Sequence, residues 1–307
     1  MPPIEEGNPV FWQIDGYNLE IKYPNKPYFP QVHIHKLETV SYYRDIASIM
    51  LPYLKDRPAT LHYFPRGVEG GVSFYKRDLK NAPSEIIKLV PYDELTQDKT
   101  ILVPIINTKA GLLYFASKGV IEFHLWNTTY TNYQTPDFAV FDLDIESLTD
   151  FGLVLKASLV LKEELDKLKV KSFIKTSGGT GLHVYVPVKA IYTHEQVREW
   201  VKNVGKILME KHSDFITVNR IGGKTHTNGM VTIDYLQNAI SRSMVAPYSL
   251  RATPKATVST PLSWKEVAEG NFLPTDFTLK TVPKRIAEKG DLFAGVLTEK
   301  QELPSFD

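Results

Sequence analysis

Over residues 138–145 the chain is apolar except for two positions. Phe138, Ala139, Val140, Phe141, Leu143 and Ile145 enclose Asp142 and Asp144, and so short an apolar run predicts a buried strand. Residues 10–21 alternate apolar and polar positions about Asp15-Gly16, a dipeptide suited to a tight hairpin turn. Val40, Tyr43, Ile46, Ala47, Met50 and Leu54 fall at helical spacing and predict an amphipathic helix over 38–54. The Pro- and Tyr-rich residues 23–30 read as an ordered loop, 60–64 and 101–106 as strands, and 112–117 as a short helix. Further on, a helix is expected over 151–168, and strands over 172–176 and 182–188 about a glycine-rich turn. Thr193 and Gln196 form a capping box that opens a helix reaching about His212, and residues 231–236 form a strand containing Asp234. Strands and helices mix without strict βαβ alternation, which predicts an α+β fold with mixed or mostly antiparallel sheets. The organisation expected is one domain over 1–307, with an α/β lobe at about 1–125, a second lobe at about 126–270 and an extension at about 271–307.

At 307 residues and 43% hydrophobic composition the chain can bury a sizeable core. Lys and Arg number 36 against 35 Asp and Glu, a formal net charge of +1, so any nucleic-acid surface must come from locally clustered basic groups. The absence of cysteine excludes disulfides, a thiol nucleophile, iron–sulfur clusters and Cys-based zinc sites. No apolar run reaches the roughly 20 residues that span a bilayer, and the acidic residues 1–6 lack the pattern of a secretion signal. A soluble, cytoplasmic protein with no membrane partner is expected.

Asp142 and Asp144 are one residue apart on a strand, so their carboxylates leave the same face of the sheet. Two anions among apolar neighbours repel each other and lose hydration, a conflict that a divalent cation removes. Asp234 on its own strand can complete the cluster. Three carboxylates can hold two Mg²⁺ or Mn²⁺ ions about 3.5–4 Å apart, which activate an attacking oxygen and stabilise a leaving one. A surface Asp-x-Asp is the plainer reading of the pair alone, and the apolar run and the third aspartate weigh against it.

Between the next two strands lies Lys175-Thr176-Ser177-Gly178-Gly179-Thr180-Gly181-Leu182-His183. Consecutive glycines let backbone N–H groups converge on an anion, Ser177 adds a hydroxyl, and Lys175 and His183 add charge beside a polyphosphate. It is neither a Walker A loop nor a dinucleotide fingerprint. A hairpin turn that merely needs glycine is the alternative, and the preceding aspartate pair favours phosphate. Lys76, Arg77 and Lys80, with Phe74 and Tyr75, read equally as a phosphate-tracking surface or a solvated charged face. His33 and His35 read as a surface pair, because no third ligand follows at suitable spacing. Residues 195–211 are charged as the exposed face of a helix.

Taken together, these motifs resemble the polymerase domain of bacterial ligase D, in the archaeo-eukaryotic primase superfamily. The resemblance rests on Phe141-Asp142-Leu143-Asp144, on the 175–185 segment ending Val184-Tyr185, on Asp234-Tyr235-Leu236-Gln237-Asn238 and on Ala246-Pro247-Tyr248-Ser249-Leu250-Arg251. Arg57-Pro58-Ala59-Thr60 and Lys26-Pro27-Tyr28-Phe29-Pro30 look like its N-terminal landmarks, so the likeness runs from about Trp12 to Trp264. It implies a primase-like catalytic core with flanking helices. Asp142, Asp144 and Asp234 would be catalytic metal ligands for Mn²⁺ or Mg²⁺. Lys175, Ser177, Gly178, His183, His124, Gln237 and Arg251 would bind the incoming NTP or dNTP. Lys26 and Lys36 would hold a DNA 5′-phosphate. The implied activity is nucleotide addition to a 3′-hydroxyl at gaps and breaks, with a preference for ribonucleotides. Its partners would be DNA ends, the Ku end-binding protein and a DNA ligase, on the nucleoid in the cytoplasm. A primase that starts chains, a non-catalytic end-bridging module and a two-metal nuclease are the other readings. The chain departs from the family in two places. Arg220, Lys224 or His226 stands in for basic residues usual before the Met230 strand, and Thr253 replaces a second arginine whose role would pass to Arg242 or Lys255.

Overall fold

The computed structural model describes residues 7–94, 99–219 and 229–306. Its first hairpin, β1 (Val10–Ile14) and β2 (Tyr17–Ile21), turns at Asp15 and Gly16 with φ of 52° and 78°. Positive φ at both central residues gives the turn the hand that matches strand twist, and Asp-Gly accepts it cheaply. The expected loop at 23–30 contains a strand, β3 (Pro27–Phe29), paired with β4 (Ile34–His35). The helix α1 (Lys36–Leu54) begins where Glu38 Oε2 accepts the His35 amide at 2.8 Å, and it carries Pro52 in its last turn.

Next come β5 (Ala59–Tyr63), β6 (Phe74–Lys76), β7 (Lys88–Glu94), β8 (Lys99–Ile105), α2 (Lys109–Ser117) and β9 (Val120–Trp126). Then follow β10 (Phe138–Asp144), α3 (Phe151–Lys167), β11 (Phe173–Thr176), β12 (Leu182–Pro187), α4 (His194–Lys211), β13 (Ile216–Thr217) and β14 (Val231–Asp234). The chain closes with β15 (Ser243–Val245), β16 (Pro261–Leu262), α5 (Trp264–Glu269), α6 (Val282–Lys289) and α7 (Gly295–Thr298). The expected capping box opens α4: Thr193 Oγ1 accepts the Gln196 amide and Gln196 Oε1 accepts that of Thr193.

Two sheets organise the described residues. One is six-stranded in the order β13-β14-β10-β12-β11-β16, antiparallel except for β13 against β14. The other is four-stranded, β15-β9-β5-β6, antiparallel throughout. The α+β expectation therefore holds. Helices α3 and α4 cover one face of the larger sheet, where the Phe141 ring meets Trp200 edge-on at 5.8 Å. Gly205 of α4 permits a close approach, since a Cβ there would lie 2.8 Å from Val218 Cγ1 and 3.6 Å from Ile233 Cγ2. Because side chains alternate along β10, Phe141 and Leu143 face the helices while Asp142 and Asp144 face away.

Candidate active site

The register of the six-stranded sheet sets a row of chemistry across one face. Asp234 pairs with Asp142, Asp142 with His183, and His183 with Lys175. Directly opposed residues share a face with Cβ atoms about 4.5–5.5 Å apart, so the two aspartates, the histidine and the lysine stand side by side. Asp144, opposite Thr232, lies one step further along the same face. The sequence put Asp142 and Asp234 on separate strands; the fold makes them cross-strand neighbours, 6% and 2% exposed.

Asp234 ends its strand because its own carboxylate turns the chain. Oδ1 accepts the Leu236 amide at 3.0 Å, which starts the 3₁₀ turn Tyr235–Asn238, and Oδ2 accepts Gln237 Nε2 at 3.1 Å. The expected strand over 231–236 is therefore shorter by two residues. Asn238 fixes the turn on β10, accepting the Val140 amide and donating to the Val140 carbonyl, both at 2.8 Å.

On the other side of Asp142, His183 Nε2 lies 3.2 Å from Asp142 Oδ1, and Nδ1 meets Lys175 Nζ at 2.8 Å. Lys175 also donates to Ser259 Oγ at 2.7 Å and is fully buried, so it stands behind His183 rather than in the open cleft. Burial pushes its amine well below the usual lysine range, with Arg251 adding to the effect and Asp142 opposing it. Burial likewise drives His183 well below the usual range, helped by the charges of Lys175 and Arg251.

In front of this row opens a cleft of about 340 Å³ lined by His124, Asp142, Asp144, Ser177, His183, Gln237 and Arg251. The lining brings the carboxylates of Asp142 and Asp144 together with a guanidinium, a hydroxyl and the glycine turn, and a Cβ on Gly181 would lie 3.0 Å from Asp144 Oδ1. In the turn, Ser177 Oγ accepts the amides of Gly179 and Gly181, each at 3.1 Å, so these N–H groups hold the turn closed. Gly178 has φ +75°, and a Cβ there would meet Arg251 Cγ at 2.5 Å. Glycine is what lets Arg251 lie across the turn, where Nη1 donates to the Ser177 carbonyl at 2.9 Å.

From the four-stranded sheet, His124 enters the cleft beside a residue that sequence reasoning missed. Glu122 pairs with His62 across β9 and β5 and points to the same side as His124. Its carboxylate receives His124 Nε2 at 2.9 Å, His62 Nδ1 at 3.1 Å, Arg251 Nε at 3.1 Å and the Ala252 amide at 2.9 Å. Burial raises its pKa, but the two histidine hydrogen bonds and the Arg251 charge outweigh that and hold it far below the carboxylate range. The only signal available was the Glu-x-His alternation itself. Donor atoms of His62, Glu122 and His124 lie within 4.8 Å of one another, a spacing that also suits a metal ion.

A second cleft of about 350 Å³ adjoins through Gln237 and Ser243 and is lined by Thr60, Tyr75, Arg77, Ser241 and Arg242. The exposed Tyr75 stacks on His62 at 3.8 Å and meets His124 edge-on at 5.5 Å. Lys26 and Lys36 lie outside both linings, at the β3–β4 pair, where the Lys36 amide donates to the Lys26 carbonyl at 2.9 Å. Lys36 is 6% exposed, with Nζ donating to the Lys22 carbonyl at 2.8 Å. His35 is engaged at the start of α1, and His33 caps a 3₁₀ turn with φ 54°. Thr253 ties its own turn through Thr257. Arg242 lines the second cleft, and Lys255 is exposed. Arg220, Lys224 and His226 lie outside the described residues.

With this geometry in hand, comparison decides the lineage. Residues 35–293 match the LigD primase-polymerase domain. The chain belongs to that family. Among curated relatives, it is 28% identical over 270 residues to the multifunctional non-homologous end joining protein LigD of Pseudomonas aeruginosa, covering 88% of this chain and 31% of that protein. It is 28% identical over 270 residues to the bifunctional LigD of Bacillus subtilis, covering 88% of this chain and 42% of that one. The chain thus spans well under half the length of these relatives. Among solved structures, the polymerase domain of Mycobacterium tuberculosis ligase D in complex with DNA superposes with a TM-score of 0.81 at 25% identity, covering 91% of this chain and 97% of that one. The primase-polymerase core implied by the motifs is therefore the fold of this chain. None of the described helices is long and apolar enough to cross a membrane.

Proposed function

We propose that this chain is an end-joining polymerase, a nucleotidyltransferase that extends a DNA 3′-hydroxyl at gaps and breaks. The 3′-oxygen bonds to the α-phosphorus of an incoming nucleotide, the bond to the β-phosphate oxygen breaks, and pyrophosphate leaves. The observation that carries this reading is the paired register of Asp142 and Asp234 beside a cleft that Asp142, Asp144 and Arg251 line together. Two carboxylates opposed on a buried face form the all-oxygen donor set that a hard divalent cation takes. Asp142, Asp144 and Asp234 would hold Mg²⁺ or Mn²⁺, which would neutralise charge on the attacking and leaving oxygens.

The remaining work falls to the protein's own groups. Gln237, bonded to Asp234, holds that carboxylate toward the place where the 3′-hydroxyl enters. Arg251 and His124, with the Ser177 hydroxyl, line the same cleft and would receive the polyphosphate. Lys175 supports His183 from below, so the ring keeps its place against Asp142. Such groups accelerate transfer by position and electrostatics, with little covalent chemistry of their own. Broken DNA with a 5′-phosphate, Ku and a DNA ligase are the partners this reading brings, and ribonucleotides are the substrates it favours.

Gap filling on a duplex with a 5′-phosphorylated downstream strand tests it, with NTP against dNTP in Mn²⁺ or Mg²⁺. Wild type should extend, and Asp142→Ala or Asp144→Ala should lose extension by about 10³-fold or more while still binding the DNA. Undiminished extension by either variant sinks the assignment. Primer synthesis from NTPs alone on single-stranded circles would make this a primase instead.

A further inference from the structure

Glu122 lies inside β9 at 4% exposure, and its four hydrogen bonds divide evenly between its oxygens. Oε2 faces two imidazole nitrogens, His124 Nε2 and His62 Nδ1; Oε1 takes the Arg251 guanidinium and the Ala252 amide. An ionised carboxylate offers about four acceptor sites and no donor, so this one is saturated. The same bonds decide between the two uses of the cluster. A metal-bound histidine must present a lone pair, whereas a histidine facing an ionised carboxylate presents its N–H. With Arg251 Nε at 3.1 Å from the carboxylate, a dication placed there would also meet a fixed positive charge. The arrangement fits a hydrogen-bonded hub.

What the hub holds is informative. His124 and Arg251 both line the nucleotide cleft, and they come from segments far apart in sequence. Glu122 is bonded to both. We infer that Glu122 is a positioning residue for nucleotide binding: it fixes the tautomer and ring orientation of His124, and it aims Arg251 across the glycine turn. Since Nε2–H of His124 is given to Glu122, Nδ1 is the ring's acceptor. Since Arg251 gives Nε to Glu122 and Nη1 to the Ser177 carbonyl, Nη2 is the guanidinium nitrogen left for the polyphosphate. This inference rests on the polymerase reading and adds how its nucleotide site is kept in shape.

The test is Glu122→Gln, which preserves size but replaces one acceptor oxygen with a donor NH₂, so one of the two pairs of bonds must fail. Nucleotide KM should rise about tenfold or more, with the affinity for gapped DNA unchanged. A double-mutant cycle with Arg251→Lys supplies a readout that a merely structural role would not move. If Glu122 acts partly through Arg251, the double variant loses less nucleotide affinity than the two single losses combined. Full additivity, or a Glu122→Gln KM within about twofold of wild type, overturns the inference. Should the Gln variant lose its circular-dichroism spectrum, Glu122→Asp keeps the charge, shortens the reach and enters the same cycle with the same two outcomes. Wild-type extension is the control. Its absence would refute the polymerase reading, whereas an active wild type beside a neutral Glu122→Gln would refute this inference alone.

Discussion

Lys175 shows how a single residue bears the cost of a site. Its fully buried amine rests between His183 and Ser259, and burial has pushed it well below the ordinary value of 10.5. Below its depressed pKa the amine is protonated in both states, and the folded protein carries the whole penalty. Between that value and 10.5 the unfolded chain holds a proton that the folded chain lacks, so stability climbs with pH. Lys175→Met removes this contribution. In EDTA and without nucleotide, the stability of the variant relative to wild type should be most favourable near pH 7 and decline toward about pH 10. Urea midpoints at several pH values give the difference, and a gap constant across that range would contradict the account. The sequence singled out Lys175 as charge beside a polyphosphate, from its place next to the glycine turn. It could not show that the amine lies behind His183. Glu122 was harder to read for the opposite reason: its role depends on Arg251 and His62 arriving from other strands and loops, and the local Glu-x-His alternation does not by itself tell a buried glutamate from a surface one.

At the scale of elements, legibility followed periodicity. The apolar run of β10, the Asp-Gly hairpin and the capped α4 each declare themselves within a few residues. β9 does not, because every residue from Val120 to Trp126 is buried, polar ones included, so neither alternation nor an apolar run survives. β7 alternates in burial but carries Pro91, which argues against a strand by its missing N–H. That proline is tolerated because β7 pairs only with β8 among the described strands. Strand register was out of reach altogether, since Asp142 and Asp234 meet through pairing between distant segments. One landmark changed meaning in the fold. Arg57, named by its motif, grips Asp137 at the head of β10 with Nη1 and Nη2 at 2.7 and 2.6 Å, and Lys300 reaches the same carboxylate at 3.2 Å. Both cations lie over the Phe138 ring, at 4.3 and 4.0 Å. This triad fastens the approach to β5 and the C-terminal segment to the strand that carries Asp142. Asp137→Asn would strand a guanidinium 5% exposed, a loss of about 3–5 kcal/mol. An unfolding free energy from denaturant titration lowered by less than about 1 kcal/mol would show the triad to be worth no more than a surface pair.

At the scale of the whole molecule, the near-zero net charge limits how a DNA substrate of the proposed polymerase could be held. With 36 basic against 35 acidic side chains there is no global field to draw in a polyanion. Affinity must come from a small number of phosphate contacts, each releasing counterions, so the slope of log K against log salt counts those contacts at about 0.9 per phosphate on duplex DNA. Lys26 is the contact most open to test. It is partly exposed, it lies over the Tyr23 ring at 5.1 Å, and its carbonyl is tied to the Lys36 amide. Lys36, by contrast, has its amine on the Lys22 carbonyl and so braces the chain that carries Lys26. If Lys26 holds the 5′-phosphate, Lys26→Ala should flatten the salt slope by about one and erase the preference for 5′-phosphorylated over 5′-hydroxyl gaps. Asp142→Ala should leave both quantities unchanged, because its carboxylate lines the cleft proposed for the nucleotide and not the β3–β4 pair. Fluorescence anisotropy on the two gapped duplexes across a salt series reads slope and preference together. A Lys26→Ala protein that kept both would move the phosphate site elsewhere, most directly to the second cleft, where Arg77 and Arg242 flank Tyr75 beside the active site.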